Sequence, residues 1–114
     1  MLAHIKKACG YALEGLHIVI KEEAAFRLVL LQAIIIISLV ILFPLSYSQK
    51  AFLILSAFIC LIVELLNSAI ENVVDLITSD WHILAKKAKD MGAAAQFVAL
   101  VSLYLQFFLI FIDF

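Results

Sequence analysis

The sequence predicts an all-α membrane protein: three transmembrane helices preceded by an N-terminal amphipathic surface helix. Three observations carry that prediction. Hydrophobic residues make up 67% of the 114 residues and charged residues only 15%, against an apolar share of roughly 45–50% in soluble domains. Residues 28–49 and 91–112 contain no charged residue, and each stretch exceeds the roughly 20 helical residues that cross a bilayer. One proline and three glycines leave little for a β-rich or collagen-like chain. The whole of 1–114 reads as one domain, and a net charge of −1 gives no footprint for nucleic acid.

Residues 1–22 form the first element. Leu2, Ile5, Cys9, Ala12, Leu13, Leu16 and Ile20 recur at helical spacing, while His4, Lys6, Lys7, Glu14, His17 and Lys21 fall largely elsewhere. Such a helix lies in the headgroup region or packs on its own bundle. Charges within 1–23 interrupt any signal-peptide core. A charged junction, K-E-E-A-A-F-R, occupies residues 21–27.

The first expected span is 28–49, with Gln32 as its early polar residue and Pro44 near the far interface. Residues 46–50 read as a short loop, which makes an antiparallel helical hairpin with the second span at 51–78. The first half of that second span is purely apolar and its second half carries acids. Thr78, Ser79 and Asp80 break the pattern, Trp81 sits where an interfacial aromatic is expected, and Ser79 or Asp80 is a candidate cap for the next segment. Residues 82–90 are polar and basic, and 91–112 give the third span.

Lysine and arginine placement sets the topology. Lys6, Lys7, Lys21, Arg27, Lys86, Lys87 and Lys89 collect on one side, and Lys50 alone lies on the other. The positive-inside rule puts the N-terminus and the second connection in the cytoplasm and the C-terminus outside, as for a multi-pass membrane protein. Cys9 and Cys60 read as reduced thiols.

The acids of the second span demand a reason. Glu64, Asn67, Glu71 and Asp75 recur at spacings of three and four and so share one helix face. Ionisable groups at membrane depth are expensive and default to a functional reading. Glu64, the deepest, suits a general base toward a lipid hydroxyl; the bland alternative is a hydrogen-bonded acid that only joins helices. Glu71 and Glu23 stand at similar depth and suit Mg²⁺, which takes carboxylate and phosphate oxygens; alternatively Glu23 pairs with Lys21 or Arg27. Lys89 suits a phosphate charge or is a simple interfacial anchor, and His82 a nucleotide or headgroup contact. Walker-type loops, kinase H-R-D patterns, zinc spacings and acyl-transfer triads are not evident. The face therefore points to metal-assisted phosphoryl transfer to a lipid. Two rivals use the same face: a small proton- or cation-conducting bundle and a structural adaptor.

E-A-A-F-R at 23–27, E-L-L-N-S-A-I-E-N-V-V-D at 64–75 and H-x-x-x-x-x-x-K-D-M-G at 82–92 together resemble the prokaryotic integral-membrane diacylglycerol kinases. The likeness runs from about Lys7 onward, with order, spacing and depth in agreement. It implies a homotrimer with active sites shared between subunits near the cytoplasmic interface. It further implies transfer of the ATP γ-phosphate to 1,2-diacylglycerol, giving phosphatidic acid. By this resemblance Glu64 is the catalytic base and Glu23 and Glu71 are the Mg²⁺ ligands. Asn67 and Ala93 accompany Glu64 on the lipid substrate. His4, Tyr11, Glu23, Glu71, Asp80, His82, Lys89 and Asp90 fall at ATP-binding positions. His4 and His17 stand where the better-known enterobacterial member has Arg, Glu14 where it has Lys, and Val29 where it has Glu. A sister branch resembles undecaprenol kinases with the same core acids, and Met91-Gly92 after Lys89-Asp90 looks more like the diacylglycerol branch.

Overall fold

The computed structural model describes residues 1–112 and consists of four helices in chain order: α1 (Leu2–Glu22), α2 (Ala24–Leu42), α3 (Tyr47–Ile77) and α4 (Ile83–Ile112). The final two residues of the expected domain, with the expected external C-terminus, lie outside the described residues. The last three helices, of 19, 31 and 30 residues, are long and apolar enough to cross a membrane.

α3 packs between α2 and α4. α2 turns Phe26, Ala33, Ile36 and Val40 inward, α3 turns Leu53, Ala57 and Cys60, and α4 turns Ala99 and Leu103. These positions recur every three, four or seven residues, so each helix presents one stripe to its neighbour. Leu53 and Leu103 are fully buried. Polar tethers supplement the packing. Tyr104 Oη donates to Gln32 Oε1 between α4 and α2, and Ser56 Oγ donates to Gln106 Oε1 at 2.8 Å between α3 and α4. The remaining faces carry exposed Leu, Ile, Val and Phe, which suits lipid or a second subunit and not water.

Helix ends differ from the sequence expectation in three places. α2 stops at Leu42, well before residue 49. Phe43 is extended (φ −82°, ψ 149°), because the residue before a proline is driven from the helical region. The expected loop over 46–50 is instead the start of α3. Ser46 accepts from the Gln49 N–H and Gln49 Oε1 accepts from the Ser46 N–H, a capping box. Residues 83–90, which precede the third span expected at 91–112, are the first turns of α4, helped by good helix formers and by the i,i+4 pair Lys86–Asp90 at 2.7 Å.

α1 stands apart. Val19 is its one buried residue, and its main packing partner is α2. Glu23 alone separates α1 from α2. Its extended backbone (φ −110°, ψ 105°) ends one helix and opens the next.

Candidate active site

The acid stripe of α3 is a continuation of its packing face. Leu53, Ser56, Ala57, Cys60, Glu64, Asn67 and Ser68 are the residues α3 buries, so the spacing that makes the core also carries Glu64 and Asn67 inside. Glu64 is only 6% exposed. Opposite them α4 offers Gly92, Gln96, Ala99 and Leu103. A Cβ at Gly92 would fall on Asn67 Oδ1. Glycine is therefore what lets α4 approach α3 at this level and leaves room for the Asn67 amide. Gln96 Nε2 donates to the Cys60 carbonyl at 3.3 Å, one helical turn before Glu64 on the buried face of α3. Asn67 Oδ1 and Gln96 Oε1 are buried without a partner among the described residues. The region thus holds one carboxylate and two unused acceptors, an arrangement that invites a donor such as an alcohol O–H.

Glu71 lies half-buried nearer the end of α3, and Glu23 half-buried at the α1–α2 junction. The charges of both reach Glu64, that of Glu71 more strongly. Glu23 forms no ion pair among the described residues. Arg27 is engaged elsewhere: its Nη1 donates to the carbonyls of Ile20 at 2.8 Å and Lys21 at 3.0 Å, closing the exposed C-terminal end of α1. Glu23 consequently faces a groove of about 490 Å³ shared with Ala12 and Gly15 of α1 and with Ser68 and Asn72 of α3.

A second, more polar groove of about 410 Å³ lies where α3 gives way to α4, lined by Asp75, Asp80, His82, Lys86, Lys89 and Asp90 among others. Lys89 Nζ meets Asp75 Oδ1 at 2.7 Å across the two helices. Asp90 is held by Lys86. The cap of α4 is neither Ser79 nor Asp80 but His82, whose Nδ1 accepts from the Leu84 N–H at 3.1 Å. Thr78 takes the Asp80 N–H at 3.1 Å, folding that residue into the connecting turn.

The chain therefore gathers its candidate residues in two groups. Glu64 and Asn67 are buried together, with Glu71 and Glu23 in electrostatic reach of Glu64. Asp80, His82, Lys89 and Asp90 line the outer groove. His4 and Tyr11 stand exposed on α1 and line neither groove, and Ala93 is exposed on α4. Sequence reasoning passed over Gln96. Its only signal was an amide in an uncharged span, one turn after Gly92.

A family profile described as prokaryotic diacylglycerol kinase matches residues 10–111 of this chain. The chain is 46% identical over 99 residues to a diacylglycerol kinase of Pseudomonas aeruginosa, covering 87% of this chain and 80% of that protein. It is 41% identical over 95 residues to one of Helicobacter pylori, covering 83% and 74%. It is 40% identical over 97 residues to one of Escherichia coli K12, covering 85% and 80%.

Proposed function

This chain belongs to the prokaryotic diacylglycerol kinase family and is a lipid kinase, and on that premise we propose that it transfers the γ-phosphoryl group of ATP to 1,2-diacylglycerol, giving phosphatidic acid, at the cytoplasmic face of the bacterial inner membrane. The observation that carries this reading is the depth of Glu64. A carboxylate buried between two span-length helices, beside unpaired acceptors, is placed for an alcohol that arrives through the bilayer. The preponderance of Lys and Arg at the α1–α2 and α3–α4 ends supports a cytoplasmic location for that end. The apolar positions of α1 and its sparse packing on the bundle support an amphipathic helix lying at the membrane surface.

In this reading the lipid enters sideways, its acyl chains staying among the exposed apolar faces. Asn67 orients the hydroxyl. Glu64 accepts its proton as the lipid oxygen bonds to the γ-phosphorus and the bond to the bridging oxygen breaks, releasing ADP. Lys89 leaves Asp75 and takes a phosphate oxygen, and Asp80, His82 and Asp90 frame the nucleotide in the outer groove. His4 and Tyr11, remote from that groove within one chain, suit a nucleotide site completed by a neighbouring subunit of a homotrimer.

The donor set fits Mg²⁺ of one particular kind. Among the described residues no group of three or more Asp, Glu, His or Cys side chains converges on a metal position. Mg²⁺ is commonly held by one or two carboxylates together with substrate phosphates and water. Glu23 and Glu71 would hold it. Bound there, Mg²⁺ would supply charge neutralisation on the transferring phosphoryl group.

The test offers purified protein in mixed micelles labelled ATP and Mg²⁺ with diacylglycerol or undecaprenol separately. Label is expected in phosphatidic acid. Label mainly in undecaprenyl phosphate would keep the mechanism and replace the substrate. No lipid label from folded protein would favour the ion-conducting rival. Glu64→Gln, run beside it, should cut turnover by about 10²–10⁴-fold, the usual worth of a general base.

A further inference from the structure

Of the residues that α4 buries, only Gln96 has a polar side chain. Its amide is used unevenly. Nε2 donates to the Cys60 carbonyl at 3.3 Å, and because a carbonyl only accepts, that bond fixes which end of the amide faces α3. Cys60 precedes Glu64 by one helical turn, and its carbonyl points along the axis toward Glu64. Gln96 thereby stands within one helical turn of Glu64, against the face on which α3 buries that carboxylate. The other end of the amide, Oε1, is buried with no partner among the described residues. A leucine or methionine would fill this space without stranding an acceptor, so packing alone is a poor account of a glutamine here.

We propose that Gln96 is a positioning residue for Glu64: tethered to the Cys60 carbonyl, it orients the carboxylate from the neighbouring helix and donates to its ionised form. The proposal rests on Glu64 being the base. It gives α4 a part in the reaction separate from the basic residues at its outer end. Gln96 also acts against two like charges that face Glu64, Glu71 from α3 and Glu23 from the α1–α2 junction.

The experiment uses the full chain in mixed micelles and compares wild type with Gln96→Leu. It measures kcat, the KM for ATP, the pH profile of kcat and the thermal midpoint. The expected result is a kcat roughly tenfold lower, about what one hydrogen bond to a charged group contributes. The ATP KM should be unchanged and the thermal midpoint equal or higher. The acid limb of the profile should move to higher pH, since a carboxylate that loses a donor protonates more readily. Gln96→Met repeats the test with an unbranched side chain. Wild-type kcat with an unmoved acid limb overturns the proposal. So does a loss in both variants that tracks only the fraction of folded protein. Turnover retained in Glu64→Gln would instead sink the assignment of Glu64. A dead Glu64→Gln beside a normal Gln96→Leu sinks the role of Gln96 alone.

Discussion

The deep and outer ends of the α3 stripe use the same residue types under opposite conditions. At the deep end Glu64 and Asn67 are enclosed by α4, and their surroundings are set by Gly92 and Gln96. At the outer end Asp75 and Lys89 meet at 2.7 Å, but their side chains remain 59% and 44% exposed. Water screens an exposed pair and leaves it little net gain, so an arriving phosphate displaces it cheaply. A buried amide has no water to fall back on, and moving it costs the packing around it. Depth thus separates groups held in one geometry from groups free to change partners.

Three substitutions probe that contrast, and the largest effect is expected at the deep end. Gly92→Ala forces a methyl group onto the Asn67 amide. It should destabilise the protein by about 1–3 kcal/mol, the usual range for overpacking, visible as a lower thermal midpoint in detergent. Adding Asn67→Ala should recover stability without recovering turnover. A Gly92→Ala protein of wild-type stability would mean that the α3–α4 contact is looser than this geometry requires. Arg27→Gln tests the junction between the two regimes. Loss of its bonds to the Ile20 and Lys21 carbonyls should cost about 1 kcal/mol. Amide exchange over residues 19–23 should then quicken roughly fivefold, and unchanged exchange there would deny Arg27 its part in holding Glu23. The smallest effect belongs to Lys86→Ala, which removes an exposed i,i+4 pair. Stability should shift by no more than about 0.5 kcal/mol; a larger loss would bring the outer end closer in character to the deep one.

Much of the fold and half of the site are legible in the chain itself. Long uncharged runs announce span-length helices because a bilayer admits little else, and the three- and four-residue spacing of Glu64, Asn67 and Glu71 places them on one face before any packing is known. Misread ends came from residues that serve two purposes. Ser46 to Gln49 has the composition of a turn, yet S-x-x-Q also opens a helix, and here the capping box prevails. The lysines of 82–90 looked like a solvated connection, whereas their spacing to Asp90 supports helix. His82 as a cap was hidden because imidazole is an uncommon choice for that task. Gln96 was out of reach for a different reason. What gives it meaning is the Cys60 carbonyl, 36 positions away in the chain, and no local pattern relates the two.

The Gly92–Asn67 contact has a consequence for descent. The space beside the Gly92 α-carbon is occupied by the Asn67 amide, so the two positions cannot drift independently. A lineage that enlarges residue 92 first meets an obstructed intermediate, and one that shortens residue 67 first meets an inactive one. The two positions should therefore stay fixed together, each blocking the other's exit.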